Sequence, residues 1–145
     1  MAADRRDPYS AFNFIVEFDG IAVAAFSEVS GLSFEIEPIE YREGSDVLPT
    51  VRKLPGLLKY ANVTFKRGIT GDRAFWEWII QAMNGAVQRR TGSIVILNES
   101  REPVVRYLIR EAWPCRYEGP ELNAGSNEVA IESIEVCHEG LELAD

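Results

Sequence analysis

Period-two alternation of apolar and polar residues, interrupted by one helical pattern, constrains this chain to a mainly β fold. Phe12, Phe14, Val16 and Phe18 alternate with Asn13, Ile15 and Glu17, the spacing of a strand that buries one face. Asp19-Gly20 follows directly, a pair suited to a type I′ hairpin turn because both central residues take positive φ. A returning strand is expected over residues 21–29, with Ala22, Ala24 and Ala25 small enough for close packing, and Ser30-Gly31 ends it. Leu32, Phe34 and Ile36 then alternate with Ser33, Glu35 and Glu37. Past Pro38 the parity changes, since Ile39 and Tyr41 stand on odd numbers, which predicts a bulge or an edge at the proline.

Residues 42–58 lose the periodicity and read as one long loop. Loops of that length inside a compact domain are uncommon and usually functional. This one holds Val47, Leu48, Val51, Leu54, Leu57 and Leu58, too many apolar groups for water, and an uncovered patch of that kind marks an interaction surface. Gly44 and Gly56 permit turns while Pro49 and Pro55 stiffen the path, so Tyr41 to Gly44 and Lys53 to Gly56 are the expected hinges.

A further strand is expected over residues 61–67, ending at Gly68. Asp72 then offers a helix N-cap, and Phe75, Ile79, Ala82, Met83 and Ala86 make an apolar stripe through a helix over 73–88. Arg89-Arg90 suit the negative end of its dipole, and Gly92 is the expected stop. On that helix Trp76 and Trp78 diverge by about 200°, which assigns Trp76 to the core and Trp78 to an interface. Short strands are expected over 93–97 and over 104–112, the latter ended by Trp113-Pro114, with turns at 98–103, Gly119-Pro120 and 123–127. From Glu128 onward, glutamates fall at helical spacing while valine and isoleucine favour strand; the reading is strand. Without internal repeats or a linker, residues 1–145 read as a single domain, a β-barrel or sandwich with one flanking α-helix.

Charge and chemistry narrow the function. Fifteen basic against 23 acidic residues leave a net charge of −8, the reverse of what gripping phosphates requires. No run approaches the roughly 20 apolar residues of a membrane span, and no secretory signal is visible, so synthesis in a cytoplasm is expected. His138, the single histidine, sits between Cys137 and Glu139, and neighbours on a strand point to opposite faces, so a Cys–His catalytic pair is not expected. Cys115 and Cys137 with one histidine make no metal set, and the phosphate-cradling glycine motifs are missing. Glu35, Glu37 and Glu40 read as a wet strand face rather than paired catalytic carboxylates. No cofactor, metal or small-molecule ligand is expected.

Phrases spread along the chain resemble the tail tube protein family of contractile-tailed phages and extracellular contractile injection systems. They are FIVEFDG at 14–20, FSEVSGL at 26–32, YREG at 41–44, KLPG at 53–56, VTFKRG at 63–68 and FWEW at 75–78, then AWP at 112–114, LNA at 122–124, EVAIE at 128–132 and HEGL at 138–141. The resemblance implies a subunit of a ring-shaped tube: hexameric rings stack into a hollow conduit that sheath contraction drives through a target envelope. It implies partners too, namely further copies, a sheath protein, baseplate and tube-capping proteins, and an effector or DNA cargo that passes without specific binding. A tube-initiating or tube-capping adaptor of the same machine is the alternative. Under this reading Tyr41, Arg42, Glu43, Val47, Leu48, Val51, Leu54, Leu57 and Leu58 form a ring-stacking loop, and Glu17, Asp19, Glu28, Glu35 and Glu37 are candidate lumen-facing acids.

Overall fold

A computed structural model describes residues 13–24, 26–45, 47, 49–69, 73–125 and 128–144, with residues 22–24 described by their backbone alone. Expectations resting on Phe12, Ala25, Leu48 and Asp72, and on the side chains of Ala22 and Ala24, fall outside that description. The elements in chain order are β1 (Phe14–Phe18), β2 (Ile21–Ala24), β3 (Glu28–Ser30), β4 (Phe34–Tyr41), β5 (Arg52–Tyr60), β6 (Val63–Gly68), α1 (Ala74–Met83), β7 (Arg90–Leu97), β8 (Pro103–Glu118), β9 (Ile131–Cys137) and β10 (Gly140–Ala144). The fold is mainly β with one helix, as the alternation requires.

The main sheet runs β2-β1-β7-β8-β9-β6-β3, with β10 on a further edge of β8. Every pairing in it is antiparallel. The long strand β8 makes it curl. Its first part pairs β7 and β10, and its second part pairs β9. Between them Glu111 takes a positive φ of 54° and the register to β7 slips between Arg90 and Gly92, the signature of a bulge that bends a strand. Inward residues of the two halves then face each other. Val16, Phe18, Ile94 and Ile109 meet Val63, Phe65, Ile134 and Val136 in one core, with the Phe18 and Phe65 rings 5.6 Å apart.

Several expectations need correcting, each for a physical reason. The returning strand over 21–29 is two strands, since β2 pairs β1 while β3 crosses to β6, and buried Phe26 packs into the core at the crossing. The helix ends at Met83 rather than 88, because Asn84 and Gly85 (φ 80°) close it. Gly92 is no helix stop. It lies inside β7 where a Cβ would stand 2.6 Å from Phe18 Cε1 and 2.9 Å from Ile109 Cγ1, so the core has room only for glycine. Trp113-Pro114 does not end β8, because the proline sits at a second register slip where the ladder needs no donor from it.

Trp78, expected at an interface, is instead taken up by the core. Phe75, Trp78 and Ile79 form the buried face at i, i+3 and i+4, and the Trp78 indole N–H donates to the Gln88 carbonyl at 2.7 Å. Trp76 is half-buried, its ring 5.0 Å from that of Tyr117. Beneath the helix lies a buried charge pair. Arg67 Nε donates to Glu132 Oε1 at 2.5 Å, and the Tyr117 hydroxyl donates to Glu132 Oε2 at 2.7 Å. The same guanidinium lies over the Phe26 and Phe75 rings at 5.5 and 5.7 Å. Burial and the Glu132 carboxylate together push the Tyr117 phenol up to about 12.

An exposed two-stranded arm as the candidate assembly surface

Strands β4 and β5 form a sheet of their own, pairing with each other and with no other strand among the described residues. The loop expected over 42–58 is therefore shorter, and its second half is strand β5. The structure places Tyr41 at the end of β4, puts Arg42, Glu43, Val47 and Val51 in the connection, and sets Leu54, Leu57 and Leu58 in β5. The missed strand has a local cause. Pro55-Gly56 reads as a turn in sequence, yet an edge strand at a bulge tolerates both.

The bulge anticipated at Pro38 is present. Ile36 pairs Leu58 whereas Pro38 pairs Pro55, so the extra residue lies in β5 around Gly56 and Leu57. A Cβ on Gly56 would stand 2.6 Å from the Glu37 carbonyl oxygen and 3.0 Å from Ile39 Cγ1. That glycine serves close backbone approach, and the expected hinge at Lys53 to Gly56 is instead a paired, bulged ribbon.

The arm is rooted firmly and covered poorly. At the root, Ala61 N donates to the Ser33 carbonyl at 3.1 Å, and Gly31 (φ 94°) lies so close to Asn62 O that a Cβ has no room. His138 lies beside it, its Nε2 3.0 Å from the Ala61 carbonyl and its Nδ1 3.1 Å from the Gly140 carbonyl, with its ring 5.4 Å from that of Tyr60. Beyond the root every residue of β4 is exposed, and β5 is exposed except at Gly56 and Tyr60. Phe34 is 61% and Leu57 70% exposed, fractions an isolated folded chain rarely gives to large apolar groups in series. Alternation along β4 directs Phe34 and Ile36 to one side of the ribbon and Ile39 and Tyr41 to the other. Both faces are apolar in part, so neither is a solvent face. Polar trim is modest: Lys53 pairs Glu40 at 3.2 Å, and the Tyr41 hydroxyl donates to Glu43 at 3.0 Å.

A second group of exposed apolar residues stands at the opposite end of β6. Ile69, Leu122, Val129 and Ile131 are all exposed there, the Ile69 N–H donating to the Ala130 carbonyl at 3.1 Å and Ile131 pairing Gly68. Sequence reasoning missed this group, since its members come from three separate segments. It missed Phe34, Ile36 and Ile39 as surface residues because alternation alone implied a buried face.

The five candidate lumen acids are not brought together. Glu17 lies on β1 beside Arg106 (4.0 Å), Asp19 in the β1–β2 turn where its carbonyl accepts from Arg90, and Glu28 on β3 beside Lys66 (3.8 Å). Glu35, opposite Lys59, and Glu37 belong to the arm. Among the described residues no group of three or more His, Cys, Asp or Glu is arranged to hold a metal ion. No helix is long and apolar enough to cross a membrane.

Solved structures similar to this chain come from contractile assemblies. A chain of the anti-feeding prophage baseplate superposes with a TM-score of 0.88 at 25% identity, covering 97% of both chains. A chain from the sheath-tube complex of an extracellular contractile injection system, PVC, in its extended state gives 0.84 at 26%, over 94% of this chain and 91% of that one. A chain from the tube-terminating cap of the anti-feeding prophage gives 0.82 at 28%, over 97% and 93%. A search of curated protein sequences returned no match. The family described as T4-like virus tail tube protein gp19 matches residues 10–142, nearly the whole chain, and the chain belongs to that family.

Proposed function

We propose that this chain is the repeating subunit of the inner tube of a contractile injection machine, forming hexameric rings that stack into a hollow conduit. The observation that carries the reading is the arm: a ribbon apolar on both faces and paired only with itself is marginal in water and needs covering by another molecule. Its residues Tyr41, Val51, Leu54, Leu57 and Leu58, with Phe34, Ile36 and Ile39, act as the stacking surface. Sheath, baseplate and cap proteins are the further partners, by likeness to chains solved in such complexes. The chain works as part of an assembled tail or injection particle.

The conduit repels polyanions through its summed negative field. The net charge of −8 per chain recurs in every subunit, while the five acids Glu17, Asp19, Glu28, Glu35 and Glu37 are dispersed and partly ion-paired. Cargo therefore passes without being held. A second reading, a tube-initiating or tube-capping adaptor, draws on the likeness to baseplate and cap chains.

Light scattering and negative-stain microscopy of purified protein over a concentration series test the proposal. Rings that lengthen into tubes of uniform bore are expected. Growth that halts at one layer favours the adaptor, and a monomer at every concentration and salt contradicts both.

A further inference from the structure

The two cysteines of this chain are far apart in sequence and adjacent in the fold. Both lie on the β8–β9 ladder, where Trp113 pairs Cys137 and Pro114 pairs Val136. The next pair is Arg116 with Glu135, so Cys115 is the extra residue of the bulge and has no partner of its own in the register. Along β9, Glu132, Ile134 and Val136 turn inward, which leaves Glu135 and Cys137 on the outer face. Cys115 lies over that face. Its thiol donates to the Glu135 carbonyl at 3.4 Å, and the Cys137 sulfur lies 3.8 Å from the Trp113 carbonyl oxygen. The two thiols are in hydrogen-bonding contact with each other. Both are free, and Cys115 is exposed.

We propose that Cys115 and Cys137 form a thiol–disulfide exchange site whose substrate is a low-molecular-weight disulfide. Sulfurs in contact across one ladder can bond without a change of register. The Cys115 thiolate, on the exposed side, attacks one sulfur of the substrate, and the other half leaves as a thiolate. The Cys137 thiolate then attacks the Cys115 sulfur and expels the second half. Two protein thiols are oxidised to one disulfide, the substrate disulfide is reduced to two thiols, and the two protons pass to those products. Closure joins β8 to β9 and encloses residues 116–136 in a covalent loop. It also bears on the arm, because Asn62 at the arm's root donates through Nδ2 to Glu135 Oε1 at 2.8 Å and to the Cys115 sulfur at 3.8 Å. The pair is a reversible staple at the foot of the arm. Its chemistry is slow at neutral pH, since thiolate is the attacking form. Partial burial and then the Glu135 carboxylate raise the Cys115 thiol, while burial and the neighbouring Cys115 push Cys137 up to about 11 against a lowering pull from Arg89. The inference does not rest on the tube reading.

Mass spectrometry of the folded, full-length chain tests the assignment. Reduced protein is freed of reductant, incubated with oxidised glutathione at mildly alkaline pH, quenched with acid and digested without reduction. The expected product is a monomer that has lost two hydrogen atoms, carries no glutathione and yields a peptide pair joining Cys115 to Cys137. Dithiothreitol should restore both thiols, and the oxidised chain should unfold at a higher denaturant concentration than the reduced one. Cys137→Ser should accumulate glutathione on Cys115, whereas Cys115→Ser should react at least several-fold more slowly. A glutathione adduct that persists on the unaltered chain, a dimer linked between chains, or a bridge that forms only after denaturant unfolds the protein overturns the pairing. So does a folded chain that keeps both thiols free, or a denaturant midpoint that closure leaves unmoved. None of these outcomes bears on whether the protein forms tubes.

Discussion

Strands β5 and β6 are separated by two residues and meet opposite environments. In β6, Val63, Phe65 and Arg67 are buried in strict alternation, with Phe18 packed against Phe65 in the core and Ile134 and Glu132 beside them on the paired strand β9. In β5, Leu54, Leu57 and Leu58 are exposed, because that strand has only β4 beside it. Apolar content is similar in the two and burial is not. What differs is the presence of an opposing layer within the chain. The comparison separates a strand whose apolar side chains folding consumes from one whose apolar side chains folding leaves uncovered.

The contrast is sharpened most by removing a large group from the packed side. Phe65→Ala should lower unfolding free energy by about 3–5 kcal/mol in denaturant titrations, since Phe65 is fully buried and stacked against Phe18 and Phe26. Nearly as large an effect is expected for Arg67→Met, about 3 kcal/mol, because it leaves the buried Glu132 carboxylate without its countercharge. Gly92→Ala, which adds one methyl against Phe18 and Ile109, should cost about 1–3 kcal/mol by the same measurement.

A smaller effect concerns pH. Tyr117 holds its proton in the folded state up to about 12, above its ordinary value near 10. Its contribution to stability is therefore complete below pH 10 and fades as pH rises from there through 12, because the unfolded chain releases the proton first. Phenolate absorbance should show one late-titrating tyrosine. Tyr117→Phe should remove that late step and flatten the decline in stability over the same window.

Much of the fold was legible in the sequence, and the failures share a cause. The alternation of Phe14 to Phe18, the bulge at Pro38 and the strand character of residues 131–137 could be read because each depends on neighbours in the chain. The burial of Trp78 could not, since it depends on which side of α1 meets Phe18 and Gln88. Nor could the continuation of β8 through Trp113-Pro114, which depends on β9 supplying the other half of the ladder. The exposed apolar surface was legible as excess apolar content at Val51, Leu54, Leu57 and Leu58. Its form as a ribbon was not, because Pro55-Gly56 carries a turn signal that pairing with β4 overrides. The exposed group of Ile69, Leu122, Val129 and Ile131 had no signal in sequence, its residues being scattered along the chain.

The central claim is that the apolar residues of the arm serve assembly and contribute little to folding. Leu54→Ser/Leu57→Ser tests it most directly, with unfolding and assembly measured on one preparation. Leu54 is 44% and Leu57 70% exposed and neither belongs to the core, so the stability of the unassembled chain should move by no more than about 0.5 kcal/mol and the circular dichroism should be unchanged. Each leucine lost should cost a stacking contact about 1.5–3 kcal/mol of apolar burial, repeated at every subunit around the ring, which is enough to abolish tubes while isolated rings persist. A double variant that unfolds would place the arm in the core of its own subunit, and one that is folded and still builds tubes of normal length would leave the arm without the role assigned to it.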